Sequence, residues 1–244
     1  MVPSFSQSRI KAVLFDLDDT LLGNDMDLFV PAYFRLLSEY AAEVYDPKLL
    51  IQHLLAATHV MARDTDPLAT NEDVFWDAFV RLTGFDRQVM VPFFTRFYQT
   101  RFEEIRSLTR PEEDARSLVE WAFSRGYRVV IATNPMFPLV AVERRLEWAR
   151  VPASEFRYDL VTSYENMHAV KPHPEYYREI LAYLGLDPGE ALMIGDDWER
   201  DIRPASAIGM QTYWIASPQS EPPEPDVSLT GQGRLADLRR WVES

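Results

Sequence analysis

The segment KAVLFDLDDTLL at residues 11–22 constrains the fold of this chain more than any other stretch. Four apolar residues, 12–15, lead directly into Asp16, Asp18 and Asp19. A short continuous apolar run is typical of a parallel β-strand that is buried on both faces. Carboxylates crowded at the end of such a strand repel one another and are costly to bury without a partner. The segment therefore predicts a buried strand whose end faces a compensating group.

The chain after residue 110 alternates between strand and helix patterns. Short apolar runs, typical of buried strands, occur at residues 127–134 (YRVVIATN), 158–164 (YDLVTSY), 191–197 (ALMIGDD) and 212–216 (TYWIA). Amphipathic helices are predicted between and after them, at about residues 112–126, 138–149, 174–184, 199–208 and 234–243. Strands that alternate with helices indicate an α/β fold with a parallel sheet.

Residues 23–108, between the first strand and the rest of the sheet, carry a different pattern. Apolar residues recur there at steps of three and four, which predicts amphipathic helices. The predicted faces include Phe29, Tyr33, Leu37, Tyr40 and Val44 in one helix, and Val74, Ala78 and Leu82 in another. We therefore expect a helical bundle over residues 23–108, inserted into an α/β core domain formed by residues 1–22 and 109–244.

The composition limits the class of protein and its partners. The 244 residues are 47% hydrophobic, enough for a packed core, and carry a formal net charge of −13. This charge argues against nucleic acid or an anionic membrane surface as the main partner. No apolar run approaches the roughly 18 residues of a membrane helix, and the initial MVPSFSQSR lacks the pattern of a signal peptide. The chain has no cysteine, which fits a reducing compartment. We expect a soluble cytoplasmic protein, and the sequence makes no prediction of its oligomeric state.

Acidic residues follow two of the predicted strands, and parallel sheets form their binding sites beyond strand ends of this kind. Neighbouring strand ends are expected to gather five carboxylates in one crevice, those of Asp16, Asp18, Asp196, Asp197 and Asp201. So much negative charge needs a cation. An all-oxygen site suits Mg²⁺, a hard ion that keeps several waters and also binds phosphate oxygens. The first strand is therefore expected to face a metal ion and a phosphate.

Two further polar clusters are expected at the same edge of the sheet. Thr133 and Asn134 follow the strand YRVVIA, and Lys171 follows the strand YDLVTSY after a short loop. Lys171 is one of only three lysines in the chain, and its charge can neutralise a phosphate and lower the pKa of a carboxylate nucleophile. The Thr133 hydroxyl and the backbone N–H groups around it can donate to phosphate oxygens.

These motifs, in this order, resemble those of the haloacid dehalogenase-like (HAD) hydrolase superfamily. DLDDT matches the first motif, TN the second, KP the third and GDDWERD the fourth. The resemblance spans residues 10–215, and the first and fourth motifs together are specific. It implies a Rossmann-like α/β core whose helical insertion, residues 23–108, is a cap domain of the first type, similar to that of phosphoglycolate phosphatase.

The resemblance implies an Mg²⁺-dependent phosphatase that hydrolyses a small phosphorylated metabolite through an aspartyl-phosphate. Asp16 is then the nucleophile, and Asp18 is the general acid and afterwards the base that activates water. Mg²⁺ is expected to bind the Asp16 side chain, the Asp18 backbone carbonyl and Asp196.

The resemblance also assigns the residues around the reacting groups. The phosphate is expected to bind Thr133, Asn134 and Lys171, of which Lys171 is also catalytic. Thr20 and Asp201 are expected to lie around the metal, Asp201 through water or by positioning Lys171. Asp197 stands where many relatives have a small residue; a water-mediated metal contact and a solvated acid are both open.

Other functions remain as alternatives. A 2-haloacid dehalogenase shares the cap and the nucleophile but uses no metal and lacks the second aspartate, so the presence of Asp18 favours a phosphatase. A phosphomutase of the same superfamily and a non-catalytic phosphate-binding module are the other readings. In the cap, Arg63 and Asn71 are equally open as substrate contacts or as turn residues. The sequence does not name the substrate.

Overall fold

A computed structural model describes residues 10–243 of the chain. The initial MVPSFSQSR, where we predict no signal peptide, lies outside the described residues. The strands are β1 (Ala12–Phe15), β2 (Leu22–Asn24), β3 (Thr109–Pro111), β4 (Arg128–Ile131), β5 (Leu160–Val161), β6 (Ala191–Gly195), β7 (Gln211–Ile215) and β8 (Gly231–Gly233).

The α-helices are α1 (Met26–Ala41), α2 (Pro47–Met61), α3 (Asn71–Thr83), α4 (Arg87–Thr100), α5 (Ala115–Ser124), α6 (Leu139–Trp148), α7 (Pro174–Leu184), α8 (Arg203–Ala207) and α9 (Leu235–Val242). The structure also contains 3₁₀ helices at Phe102–Leu108 and Pro188–Glu190 and a π-helix at Trp198–Ile202. Between residues 10 and 243, no helix combines the length and the apolar character that crossing a bilayer requires.

Six strands form one sheet in the order β5–β4–β1–β6–β7–β8, and all of its pairings are parallel. In the central strand β1, Phe15 is level with Ile131 of β4 and Ile194 of β6. The strand order reverses at β1, since β4 and β5 lie on one side and β6 to β8 on the other. Such a switch point leaves a crevice beyond the carboxyl ends of the strands. The predicted Rossmann-like parallel sheet is confirmed.

Alternate residues of β1 belong to different apolar clusters. Val13 and Phe15 belong to a large cluster that extends into the helical insertion, whereas Ala12 and Leu14 belong to a second cluster. All four side chains are buried. Because both faces of a parallel sheet are covered, the strand has the continuous apolar sequence that predicted it.

Helices α1 to α4 form the inserted bundle. Each begins with a side chain that accepts hydrogen bonds from the first turn, namely Asp25, Asp46, Thr70 and Asp86 in chain order. These caps satisfy N–H groups that have no partner inside the helix. β2 and β3 pair antiparallel where the chain leaves the α/β core and returns to it. The division into a core and a cap at residues 22/23 and 108/109 stays a prediction, and this ribbon supports it.

The structure corrects the predicted apolar faces of two helices. Helix α1 ends before Val44, whose side chain is exposed. In α3 the buried side chains are Asn71, Trp76 and Phe79, whereas Leu82 is exposed. Two apolar stripes of similar spacing run along α3, so the local pattern does not determine which of them is buried. The packing of α3 against α2 determines it.

Elements at the margins of the sheet also differ from the prediction. The strand expected at residues 158–164 is reduced to the two residues of β5, and the helix expected at 199–208 is a π-helix followed by α8. The strands β2, β3 and β8 were not predicted. β8 has the sequence GQG, in which glycine offers no side chain to form an apolar pattern.

Candidate active site

The carboxyl ends of β1, β4 and β6 bring the predicted motifs to one place. Asp16 and Asp196 directly follow β1 and β6, and Thr133 comes shortly after β4. The three strands are adjacent and in register. A crevice of about 190 Å³ opens at this edge of the sheet. Its lining includes every predicted site residue except Thr20: Asp16, Asp18, Thr133, Asn134, Lys171, Asp196, Asp197 and Asp201.

Lys171 lies among the charged groups of this crevice. Its ammonium donates to Asp16 Oδ1 and to Asp201 Oδ1, each at 2.6 Å. The Lys171 side chain is 1% exposed, and those of Asp16 and Asp201 are 10% and 2% exposed. Burial disfavours the charged ammonium, but the two carboxylates raise the pKa of Lys171 well above its ordinary value. The ammonium therefore stays charged in contact with both acids.

Three carboxylates form a compact acidic cluster. Asp16, Asp196 and Asp201 each place an oxygen within 4.8 Å of the others, and Thr20 Oγ1 donates to Asp196 Oδ1 at 3.3 Å. Burial, together with nearby acids, raises the pKa of Asp196 to about 7. Burial also raises the pKa of Asp16 and of Asp201, an effect that Lys171 opposes. Three acids sharing one ammonium leave negative charge uncompensated, and this all-oxygen donor set fits a hard divalent cation such as Mg²⁺.

Asp197 caps the π-helix at Trp198–Ile202. Its Oδ1 accepts from the N–H groups of Glu199 and Arg200 at 2.9 and 3.0 Å. The Asp197 N–H donates to Asp201 Oδ2 at 3.1 Å. From the sequence, Asp197 was expected to be either a water-mediated metal contact or a solvated acid, and neither role includes this cap. The cap fixes the turn that carries Asp201.

Thr133 and Asn134 use their polar groups differently. Asn134 Oδ1 accepts from the Lys171 N–H at 3.2 Å, while its Nδ2 contacts Met136 Sδ, a weak acceptor. The carbonyl of the buried Thr133 accepts from the Tyr176 hydroxyl at 2.9 Å. The Asn134 side chain thus supports the loop of Lys171, and its N–H₂ group retains the capacity to donate to a stronger acceptor.

The Asp18 side chain is held by two donors that the sequence analysis did not identify. Arg145 Nη1 donates to Asp18 Oδ2 at 2.5 Å, and Asn24 Nδ2 donates to Asp18 Oδ1 at 2.6 Å. The Arg145 guanidinium lies 5.0 Å from the ring centroid of Phe137. Its Nε and Nη2 are buried without a hydrogen-bond partner among the described residues. The crevice therefore holds a second buried cation besides Lys171.

The sequence of α6 contains a pattern from which Arg145 could have been identified as a buried residue. The buried face of this helix consists of Ala141, Val142, Arg145, Leu146 and Trp148. An arginine within an apolar stripe is unusual, because arginine is almost never fully buried unless it is paired. Its neighbour in sequence, Arg144, forms an exposed pair with Glu147 instead. The two residues are of the same type, but the period of the helix places Arg145 on its buried face and Arg144 on its exposed face.

Neither expectation for Asn71 describes its place in the structure. Asn71 is the first residue of α3; its N–H donates to the Met167 carbonyl at 2.8 Å and its Nδ2 to the Ala169 carbonyl at 3.2 Å. It is buried and joins the inserted bundle to the core. The Arg63 N–H donates to the Val60 carbonyl in a turn, and neither Arg63 nor Asn71 lines the crevice.

Comparison with known proteins identifies the family. Residues 10–209 match the model of the haloacid dehalogenase-like hydrolase family, a stretch that includes all four motifs. The chain belongs to this family. It is therefore an enzyme of the hydrolase class, and the resemblance stated from the sequence is confirmed.

Relatives of this HAD hydrolase include pyrophosphatases named PpaX. The one from Bacillus cereus strain AH820 is 26% identical over 208 residues, and the alignment covers 85% of this chain and 84% of the relative. The one from Bacillus cereus strain G9842 is 27% identical over 208 residues, with the same coverage. These relatives support a phosphatase.

Solved structures share the fold. A HAD phosphatase from Thermococcus onnurineus superposes with a TM-score of 0.59 at 20% identity, over 96% of this chain and 98% of the other. A predicted phosphoglycolate phosphatase from Haemophilus somnus 129PT gives a TM-score of 0.57 at 17% identity, over 98% and 99%. The L-2-haloacid dehalogenase RSc1362 gives 0.56 at 17% identity, over 96% and 99%. At these identities the likeness shows the fold alone.

Proposed function

We propose that this HAD hydrolase is an Mg²⁺-dependent phosphatase that hydrolyses a small phosphorylated metabolite through an aspartyl-phosphate. The observation that carries the proposal is the contact between the buried Lys171 ammonium and Asp16, beside a cluster of three carboxylates. A lysine next to an acidic cluster suits a phosphate bound between the ammonium and a divalent cation. The PpaX relatives support the same class of reaction.

In the proposed reaction, Asp16 attacks phosphorus and the oxygen of the leaving group departs, which leaves an aspartyl-phosphate. Lys171, in contact with Asp16 Oδ1, favours the ionised carboxylate and neutralises phosphate oxygens. Asp18 protonates the leaving oxygen and then accepts a proton from the attacking water. That attack releases phosphate and regenerates Asp16. Arg145 holds the Asp18 carboxylate in place between these steps.

The remaining donors of the crevice complete the proposed site. Thr133 and Asn134 donate to phosphate oxygens. The side chains of Asp16 and Asp196 and the backbone carbonyl of Asp18 would hold Mg²⁺, with Asp201 and Thr20 orienting the lysine and Asp196. When bound, Mg²⁺ supplies positive charge to both the phosphate and the clustered acids.

The helical insertion, residues 23–108, is proposed to act as the cap that covers this site. Met26 of α1 lines the crevice together with the core residues, so the insertion limits the space beside the phosphate. This supports a small molecule, rather than nucleic acid or a membrane, as the substrate. A cytoplasmic location stays part of the proposal.

A phosphate-release assay tests the proposal. The purified protein is incubated with a panel of phosphorylated metabolites and with p-nitrophenyl phosphate, either with MgCl₂ or with excess EDTA. We expect release of inorganic phosphate that requires Mg²⁺ and returns when Mg²⁺ is added back, because clustered acids otherwise repel a phosphate dianion. Release of phosphate into water also distinguishes hydrolysis from transfer by a phosphomutase.

The variant Asp16→Asn is the matched control for this assay. The change is nearly isosteric, so we expect a folded protein without turnover. Full phosphate release in excess EDTA by protein free of metal would contradict the proposed Mg²⁺ requirement, whereas no release from any ester would contradict the phosphatase proposal. A substantial fraction of the wild-type rate in Asp16→Asn would show that another group is the nucleophile.

A further inference from the structure

An apolar chamber of about 290 Å³ lies between the inserted bundle and the core. All four helices of the bundle contribute to its wall, with Tyr33 from α1, Leu55 from α2, Trp76 from α3 and Phe94 from α4, and the core contributes Phe137. Within the part of the chain that the structure describes, none of the residues that line the chamber is charged. A concave, largely apolar site with a few polar groups is typical of a small-molecule pocket.

Phe137 separates this chamber from the acidic crevice. Its ring centroid lies 5.0 Å from the Arg145 guanidinium, which lines the crevice, and 5.6 Å from the centroid of the Tyr33 ring, which lines the chamber. Phe137 and Met136 line both the chamber and the crevice. A smaller cavity of about 120 Å³, lined by Asp18 and Arg145 as well as by Tyr33, lies between them. The smaller cavity thus shares Asp18 and Arg145 with the crevice and Val30 and Tyr33 with the chamber, which makes it the route by which a group attached to a bound phosphate would reach the chamber.

The polar groups of the chamber are neutral. The hydroxyls of Tyr33 and Tyr98 form a hydrogen bond of 2.7 Å with each other. Burial raises the pKa of Tyr33 to about 12 and raises that of Tyr98 well above its ordinary value, so neither hydroxyl ionises near neutral pH. The Tyr164 hydroxyl accepts from Trp76 Nε1 at 3.3 Å. The residues that line the chamber offer no cation to an anionic group, and Arg145 lines the smaller cavity beside it instead. An apolar group in the chamber would be removed from water.

We propose that the chamber binds the leaving group of the substrate, and that the preferred substrates are phosphate monoesters of alcohols with an aromatic ring or an alkyl group of similar size. The inference rests on the proposed phosphatase function and names its substrate class. An apolar cavity of about 150 Å³ is enough to hold benzene, so this chamber takes one ring with its linker. Pyrophosphate and phosphoglycolate carry no apolar group of this size, so they would leave the chamber unfilled.

The test compares 2-phenylethyl phosphate with ethyl phosphate. Both release a primary alcohol, so the chemical step is matched and the two esters differ in the apolar ring. We expect kcat/KM, measured by phosphate release, to be about 30-fold higher for 2-phenylethyl phosphate, since this is the scale of burying one aromatic ring. Pyrophosphate and phosphoglycolate are measured alongside and are expected to be slower than 2-phenylethyl phosphate.

Substitutions on one helix localise the effect. Leu55 lines the chamber and is 51% exposed, whereas Leu49, also on α2 and 48% exposed, does not line it. Leu55→Trp places a large ring at the chamber and should reduce the ratio of the two kcat/KM values at least fivefold. Leu49→Trp, the same change at a matched position, should keep the wild-type ratio. Val30→Trp, at a residue that lines both the chamber and the smaller cavity, should act like Leu55→Trp.

The outcomes separate the two proposals. Phosphate release from several esters with no preference for 2-phenylethyl phosphate, or with pyrophosphate preferred, overturns the substrate class and keeps the phosphatase. A preference that neither Leu55→Trp nor Val30→Trp reduces also overturns the role of the chamber. Absence of Mg²⁺-dependent release from every ester, p-nitrophenyl phosphate included, overturns both proposals.

Discussion

The ion pair between Asp18 and Arg145 joins two side chains with different access to water. The Arg145 side chain is 4% exposed, whereas that of Asp18 is 29% exposed. Loss of Arg145 and loss of the Asp18 charge are therefore expected to lower the stability of the fold by different amounts. Without Arg145, Asp18 can be solvated in part; without the charge of Asp18, a buried guanidinium loses its counter-ion, which is strongly unfavourable.

We expect Asp18→Asn to lower the free energy of unfolding by about 2–3 kcal/mol, below the usual scale for a broken buried pair because Asp18 is partly solvated. The amide carries no charge, and it offers N–H₂ to one of the two donors that hold Asp18. Urea unfolding at neutral pH, in EDTA so that metal binding does not contribute, measures this loss.

The double variant Asp18→Asn/Arg145→Met is the control for this interpretation. Methionine fills much of the same space beside Phe137 without a charge, so we expect the double variant to recover at least half of the stability lost in Asp18→Asn. Interaction between residues in contact makes their effects non-additive. Losses that simply add in the double variant would show that the Asp18 charge does not compensate Arg145.

Single residues differ in how far the sequence could predict their positions in the crevice. Asp16 and Asp196 were predictable because each directly follows an apolar run, and the end of a parallel strand fixes where such a residue lies. Lys171 was predictable from the order of the motifs. The cap made by Asp197 and the pairing of Arg145 with Asp18 depend on which elements pack together, and a local pattern does not contain that information.

At the scale of elements, the end of β6 and the π-helix that follows it form one packed unit. Gly195 ends the strand, and a Cβ added there would lie 2.2 Å from Asp201 Oδ2 and 2.7 Å from Asp201 Cβ. Real Cβ atoms do not approach other atoms this closely, so a side chain at position 195 must displace Asp201. Because Asp201 Oδ1 holds the Lys171 ammonium, the displacement reaches the proposed phosphate site.

We expect Gly195→Ala to lower phosphatase activity on the order of 100-fold, the scale of one lost electrostatic contact in an active site. The free energy of unfolding should fall by about 1–3 kcal/mol through overpacking. Phosphate release and urea unfolding measure the two effects.

Gly189→Ala provides the matched control. Gly189 lies in the 3₁₀ helix that precedes β6, and a Cβ added there meets no atom within 4 Å. Its activity should stay within twofold of the wild type. Equal losses in Gly189→Ala and Gly195→Ala would mean that the contact with Asp201 is not the cause.

The elements were predictable in proportion to the strength of their patterns. The central strands β1, β4 and β6 are continuous apolar runs, which buried parallel strands require, and the helices α6 and α7 follow the period of 3.6 residues. The three-residue strands β2, β3 and β8 are too short for a period, and the buried side of α3 depends on its contact with α2. Tertiary packing therefore determines the short strands and the buried side of α3, which the local sequence does not specify.

At the scale of the whole molecule, acidic charge opposes the compact state. The chain carries a net charge of −13, and within the fold Asp16, Asp196 and Asp201 lie together with one lysine. The pKa of Asp196 is raised from its ordinary value near 3.8 to about 7 in the absence of a cation. The divalent cation of the proposed phosphatase would bind the ionised carboxylates of the folded state, so its binding would be coupled to both folding and proton release.

We expect Mg²⁺ to stabilise the protein more at pH 8 than at pH 5. A carboxyl whose folded pKa is raised contributes stability that is fully present below its unfolded pKa, near 4, and is lost as the pH rises through the folded pKa, near 7. The protein in EDTA should therefore lose stability across this window. Mg²⁺ needs the ionised acids, so the rise in Tm on adding MgCl₂ should grow over the same window, as measured by thermal unfolding in each buffer.

Two controls distinguish this linkage from general screening of negative charge. NaCl at matched ionic strength weakens repulsion between surface charges at any pH, so it should raise Tm by less than MgCl₂ at pH 8. Asp196→Asn removes one ionisable ligand and should abolish most of the difference between MgCl₂ and NaCl. An equal effect of the two salts at pH 8, or an Mg²⁺ effect that is the same at pH 5, would contradict a cation site that includes the carboxylates of Asp16 and Asp196.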